Sequence, residues 1–184
     1  VRQYCDKAIL IDKNKVVKSG DANAIAVEYA RMFMEGDSEK ALSKAGKRWG
    51  SKSTYFVNVT TEPSQLSDKN TPIVISANIK CQTNAKNLIV GFSIKNSSGT
   101  HILGTNSRLQ SIKTGNWQAA TVKHVEWSIQ NLFTDGNYAV DVAILEEDEV
   151  TVCDWWEDAT VFTSFESNPP PYVTSPNIKT LISE

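Results

Sequence analysis

From about residue 48 the chain alternates between apolar and polar positions. Ile73, Ile75, Ala77 and Ile79 are separated by Val74, Ser76, Asn78 and Lys80. Leu88, Val90, Phe92 and Ile94 are separated by Ile89, Gly91, Ser93 and Lys95. Tyr138, Val140, Val142 and Ile144 are separated by Ala139, Asp141 and Ala143. The same period runs through Tyr55 to Thr60 and Val125 to Ile129. A period of two is that of a strand with one face buried. Shorter candidates lie at 101–105, 108–112 and 159–165. About eight short strands punctuated by Gly, Asn and Ser predict an immunoglobulin-like antiparallel β-sandwich, its sheets polar on the outside. In "LFTDGNYAV", Leu132, Gly136 and Tyr138 have the spacing of a tyrosine corner, which gives Tyr138 a structural role.

The first 47 residues read differently. "YCDKAILID" and "VVKSG" flank the polar turn "KNK" and predict a β-hairpin. Asp21 suits a helix N-cap, and Ile25, Tyr29 and Met32 then share one helical face. Gly36 ends that helix, and "DSEKALSKAGK" reads as a second helix or a linker. The expected organisation is a hairpin with one or two helices at 1–47, the sandwich at 48–167 and a tail at 168–184. The three prolines of "SNPPPYVTSPNIKTLISE" make that tail extended, and "NIKTLISE" could add an edge strand to this sandwich or to a partner's.

Composition narrows the function. Net charge is -2 and the pI about 5.8, so there is no basic footprint for nucleic acid. Apolar runs such as "AILI" are far too short to cross a bilayer. Cys5, Cys81 and Cys153 are odd in number and lack C-x-x-C spacing, which predicts reduced thiols and no zinc site. The sequence contains no phosphate-binding loop, nucleophile elbow or metalloprotease motif. His101 and His124 lie in no catalytic pattern, and "EEDE" at 146–149 reads as a hairpin tip. Asp154 and Asp158 could pass for glycosidase carboxylates, but two acids in one loop are weak evidence for that chemistry.

The tryptophans carry more information. Trp127 alternates inward with Val125 and Ile129, and Trp49 suits edge packing. Trp117 lies in the turn-like "TGNWQ", and Trp155 and Trp156 are adjacent, so both cannot point inward on one strand. An exposed indole implies a contact. Its flat apolar face matches the C–H face of a pyranose, while Asn78, Lys80, Ser93, Lys95 and Asp141 line the outward sheet faces and can bond hydroxyls. Trp117, Trp155 and Trp156 with those five polar residues form the expected carbohydrate site. Each tryptophan taken alone could equally pack over the end of the core.

The opening stretch "YCDKAILIDKNKVVKSGDANAIAVEY" resembles the end of an ABC-transporter ATPase domain of the polysaccharide-export type, matching at Cys5, Asp6, Leu10 or Ile11, Asp12, Gly20, Asp21 and Tyr29. Asn14 stands where a hairpin Gly is usual. "RWGS", "VGFSIKNSSGTHILGTNS", "VEWSIQNLFTDGNYAVDVAI" and "VCDWWEDATVF" resemble the C-terminal domain of the Wzt-type ATPase subunit of O-antigen exporters. The resemblance implies a non-catalytic module that binds O-antigen polysaccharide, near its non-reducing end, on the cytoplasmic side of the bacterial inner membrane. It implies a transmembrane permease subunit as partner and a homodimer. It implies no cofactor in this stretch, with ATP and magnesium handled elsewhere in the full-length subunit. The site residues do not transfer by motif. The alternatives are a dimerisation or permease-docking domain that touches no glycan, and a secreted sugar-binding domain. Asn58 and Asn96 head glycosylation triplets that would suit secretion, but the ATPase-like start argues against it.

Overall fold

The computed structural model describes residues 7–12, 15–22, 25, 48–178 and 181. The chain divides into two compact units, Val1–Ala45 and Gly46–Glu184. In the first, β1 (Lys7–Asp12) and β2 (Lys15–Asp21) pair antiparallel as the expected hairpin, with a register shift between Leu10 and Ile11. The helices expected at 21–35 and 37–47 lie outside the described residues, apart from the buried Ala22 and Ile25.

The second unit is a sandwich of antiparallel sheets. Its strands are β3 (Arg48–Trp49), β4 (Thr54–Glu62), β5 (Gln65–Leu66), β6 (Ile73–Cys81), β7 (Ala85–Lys86), β8 (Ile89–Asn96), β9 (His101–Asn106), β10 (Asn116–Trp117), β11 (Val122–Ile129), β12 (Gly136–Leu145) and β13 (Val152–Ser164). One sheet has the order β11-β6-β4, the other β3-β13-β12-β8-β9, with β5 pairing parallel to the far end of β13. β7 and β10 form a small ribbon. The chain passes from one sheet to the other between β6 and β8, back between β9 and β11, and across again between β11 and β12, a Greek-key path.

The alternation works as expected. Ile73, Ile75, Ala77 and Ile79 from β6 face Val90, Phe92 and Ile94 from β8 and Val140, Val142 and Ile144 from β12 in one core. Trp127 is buried there and its ring lies 5.2 Å from that of Phe92. β4 departs from strict alternation. Its register shifts between Phe56 and Asn58, so Val57 bulges out and the inward set changes from Thr54 and Phe56 to Val59 and Thr61.

Tyr138 makes the expected corner. Its hydroxyl donates to the Thr134 carbonyl at 2.9 Å, and its ring packs with Phe133 and Phe162 at 4.9 and 5.1 Å. Residues 108–112, expected as a strand, instead form a turn. Asn106 Oδ1 accepts the Leu109 N–H, and the Asn106, Arg108 and Ser107 carbonyls accept the Gln110, Ser111 and Ile112 N–H groups, so local bonds close a turn where a strand would need a partner. The 146–149 segment is the tip between β12 and β13, where the Asp148 carboxylate accepts the Val150 and Thr151 N–H groups. Cys81 and Cys153 are free thiols in the core, and burial pushes the Cys153 thiol above its ordinary pKa. The tail folds back on the same chain. Thr174 pairs with Phe133, and the Ser175 N–H donates to the Leu132 carbonyl.

Candidate functional site

Register decides which side chains can act together. Trp155 lies opposite Ala143, Ala143 opposite Gly91, and Gly91 opposite Asn106. These four cross β13, β12, β8 and β9 in one row on the outer face of the larger sheet. A large aromatic at one flank, two small residues in the centre and an amide at the other flank make that face concave. The trough has a volume of about 240 Å³ and is lined also by Ser93, Thr105, Asp141, Leu145 and Ile89. Gly91 is required by the close approach of β9. A Cβ there would come within 2.6 Å of the Asn106 Cβ and the Thr105 carbonyl oxygen, so any larger residue pushes the edge strand away.

The next row holds the charge. Asp141 pairs with Ser93, and Lys95 lies two residues further along β8, on the same face. The Lys95 ammonium bridges Asp141 at 3.0 Å and Asp158 at 2.8 Å. Asp158 reaches this position because β13 bulges opposite Asp141. Val140 pairs with Thr160 and Val142 with Trp156, which leaves 157–159 to span a single residue. The Asp158 backbone is left-handed at φ 52, and its N–H donates to the Asp141 carboxylate at 2.7 Å. Burial of the Lys95 ammonium opposes its charge, but the bonds to Asp158 and Asp141 outweigh it and hold the pKa above the ordinary lysine value. Two carboxylates around one ammonium leave the cluster acceptor-rich, and a carboxylate accepts hydroxyl donors well. Ser93 Oγ lies 3.1 Å from His101 Nδ1 at the same end.

Trp155 is supported from outside the trough. It pairs with Trp49 across β13 and β3, and the two indoles stack with centroids 5.6 Å apart and planes 13° from parallel. Trp49 remains 49% exposed, so this edge of the trough ends in a two-indole shelf.

The eight residues expected to form the site are therefore separated. Ser93, Asp141 and Trp155 line the trough, and Lys95 is joined to it through its ion pair with Asp141. Asn78 and Lys80 lie on β6, in the other sheet, where Asn78 Oδ1 meets His124 Nδ1 at 3.1 Å. Trp156 faces inward beside Val142, with the Arg48 guanidinium 4.0 Å over its ring. Trp117 is a core residue, only 2% exposed. Its indole N–H bonds the Thr114 hydroxyl at 3.2 Å and Lys123 covers its ring at 4.3 Å. Its polar neighbours suggested a loop, but the β7–β10 ribbon carries the indole inward. Trp117→Phe should therefore lower stability by about 1–2 kcal/mol in urea unfolding, through the lost bond and volume, and leave ligand affinity unchanged.

Trp49, Gly91, Asn106 and Asp158 were not expected in the site. An isolated Gly inside a strand pattern was the one available signal, since it marks a close backbone approach. Asp154 and Asp158 do not face one another. Asp158 lies on the outer face beside the trough, bonded to Lys95 and Asp141, whereas the Asp154 side chain is wholly buried. It is held by Arg48 at 2.7 Å, by Lys52, and by the Phe56 N–H at 2.9 Å. Because Phe56 is on β4, this cluster fastens the two sheets at one edge. Burial raises the Asp154 pKa, and the Arg48, Lys52 and Phe56 bonds more than reverse that and hold it below the ordinary carboxylate value.

One solved structure shares this fold. The crystal structure of the C-terminal domain of wzt superposes with a TM-score of 0.66 at 17% identity, covering 77% of this chain and 90% of that one. A Bacteroides uniformis β-glucuronidase matches with a TM-score of 0.43 at 13% identity, over 60% of this chain and 14% of its own. No curated protein matches the sequence. Among the described residues no helix is long and apolar enough to cross a membrane. The family model described as the Wzt C-terminal domain matches residues 47–174, the entire sandwich, and the chain belongs to that family.

Proposed function

We propose that the trough on the outer face of the larger sheet binds sugar units of an O-antigen polysaccharide, without catalysis, so that an ABC exporter recognises its cargo on the cytoplasmic side before transport. The observation that carries this reading is the row Trp155–Ala143–Gly91–Asn106 beside Asp141, Ser93 and Lys95. A pyranose can lay its C–H face on the Trp155 indole over the small floor, and its hydroxyls then meet carboxylate, amide and hydroxyl groups at the rim. A site that is mainly apolar surface with a few convergent polar groups is the usual form of a small-ligand site. The full-length subunit would carry ATP and magnesium in its nucleotide-binding domain and dock peripherally on a transmembrane permease at the inner membrane. Two copies per exporter would double the contacts and raise avidity for a repeating polymer.

The test is retention of the exporter's own polysaccharide by the purified chain in affinity electrophoresis, with a polysaccharide of different repeat unit as control. Selective retention is expected. A chain that forms dimers and retains neither polymer would instead support an assembly role. That second reading draws on exposed apolar side chains that are not part of the trough's lining. Ile9, Ile11, Val16 and Val17 of the hairpin and Tyr172, Ile178 and Leu181 of the tail are all at least half exposed.

A further inference from the structure

We infer that the trough is one end of a longer cleft, which continues past Ile89 into a second cavity and holds several consecutive sugar units; the inference rests on the saccharide reading of the trough. The second cavity has a volume of about 480 Å³ and is lined by Asn87, Ser107, Arg108, Lys113, Thr114 and Glu147. Ile89 lines both cavities. Asn106 of the trough is followed directly by Ser107 of the second cavity, and Leu145 of the trough lies two residues before Glu147. The two are thus contiguous along β8, β9 and β12.

Size and direction both favour continuation. Sites for drug-sized ligands occupy about 300–1,000 Å³, and the trough alone falls below that range. At its far end the polar groups already bind one another, in the Lys95–Asp141–Asp158 cluster and the Ser93–His101 contact. A chain lying along the trough therefore has its open path at the Ile89 end.

The walls of the second cavity are also prebuilt. The 107–115 loop is tied to β8 by the Ser107 N–H to the Val90 carbonyl at 2.9 Å, and to Leu88 just before that strand by the Thr114 hydroxyl to its carbonyl at 2.7 Å. The opposite wall is the β12–β13 tip. It is joined to the loop by the Arg108–Glu149 ion pair, and Asn87 donates to Glu147 at 3.0 Å. A cleft whose walls are fixed before binding has little ordering cost. Lys113 and Arg108 supply donors and Glu147 an acceptor, a mixed set suited to neutral polyols.

The experiment uses oligosaccharides of increasing length, made by partial acid hydrolysis of the exporter's polysaccharide and titrated calorimetrically into the full chain. Affinity should rise at least tenfold beyond the length that first fills the trough. Longer chains also offer more binding registers, so a variant comparison is needed. Arg108→Ala/Lys113→Ala should lose about tenfold in affinity for long oligomers and leave short ones unchanged. The amide signals of residues 107–115 should shift in NMR spectra with long oligomers only. Affinity that is flat with length, or long-oligomer shifts confined to the trough residues, would overturn the extended cleft and leave the trough reading standing. Failure of every oligomer to bind would overturn both.

Discussion

Trp155→Ala should weaken polysaccharide binding about thirtyfold and leave the fold intact. The reasoning begins with position. Trp155 is the aromatic that both lines the trough and carries a supporting partner, Trp49, on the adjacent strand. Its orientation is therefore set before any ligand arrives. Buried aromatic anchors of this kind cost about 2 kcal/mol or more when truncated, and 1.4 kcal/mol is a factor of ten in affinity. The truncation opens no void in the core, because the side chain lies on the outer face and is partly exposed. The loss should therefore appear in titration calorimetry with little change in the urea midpoint. Trp156→Ala is the control. That indole packs inward under Arg48, so its removal should lower stability first. Unchanged affinity in Trp155→Ala, with Trp156→Ala as the weaker binder, would place the ligand elsewhere.

The largest stability loss is expected at Asp154. Asp154→Ala should cost about 3–5 kcal/mol, the range for breaking a buried ion pair by removing one partner. Three groups lose their acceptor at once. Arg48 and Lys52 keep part of their hydration because they are incompletely buried, but the Phe56 N–H in the second sheet is left without its carboxylate. The sign of the pH dependence follows from the lowered pKa of this carboxyl. The stabilisation is fully present above the unfolded carboxylate value, about 3.9, and is lost as pH falls through the lower folded value. The advantage of the parent chain over Asp154→Asn should thus be constant near neutrality and shrink in strong acid. Urea unfolding between neutral pH and pH 2 measures it. A cost below about 1 kcal/mol for Asp154→Ala would mean that this edge of the sandwich is held by packing alone.

Much of the fold was legible because a strand has a short, exact side-chain period. Ile73 to Ile79 and Leu88 to Ile94 could be assigned to one face without any knowledge of their partners, and both stretches take that face in the structure. The Tyr138 corner was legible because it is local, with its acceptor four residues away at Thr134. The errors have a common origin. Val57 and Asp158 lie in bulges, and a bulge is created by the register between two strands rather than by either strand alone. Trp117 was misplaced because its surroundings in sequence are polar, while its surroundings in space are the core.

For the candidate site the division is sharper. The amino-acid sequence alone determined that a β-sandwich of this family would form, that its outward positions would be polar, and that Ser93, Lys95 and Asp141 would be among them. It also determined that Trp155 and Trp156 must diverge, since neighbours on a strand point to opposite faces. It left open which of the two turns outward, and which polar residues share a surface with it. Those were decided by pairing β13 with β12 so that Trp155 meets Ala143 and Trp156 meets Val142. They were decided again by the strand order, which puts Asn78 and Lys80 in the other sheet. Register and strand order depend on hydrogen bonds between residues tens of positions apart, so no local pattern encodes them, and it is they that place one tryptophan beside a floor made of Ala143 and Gly91.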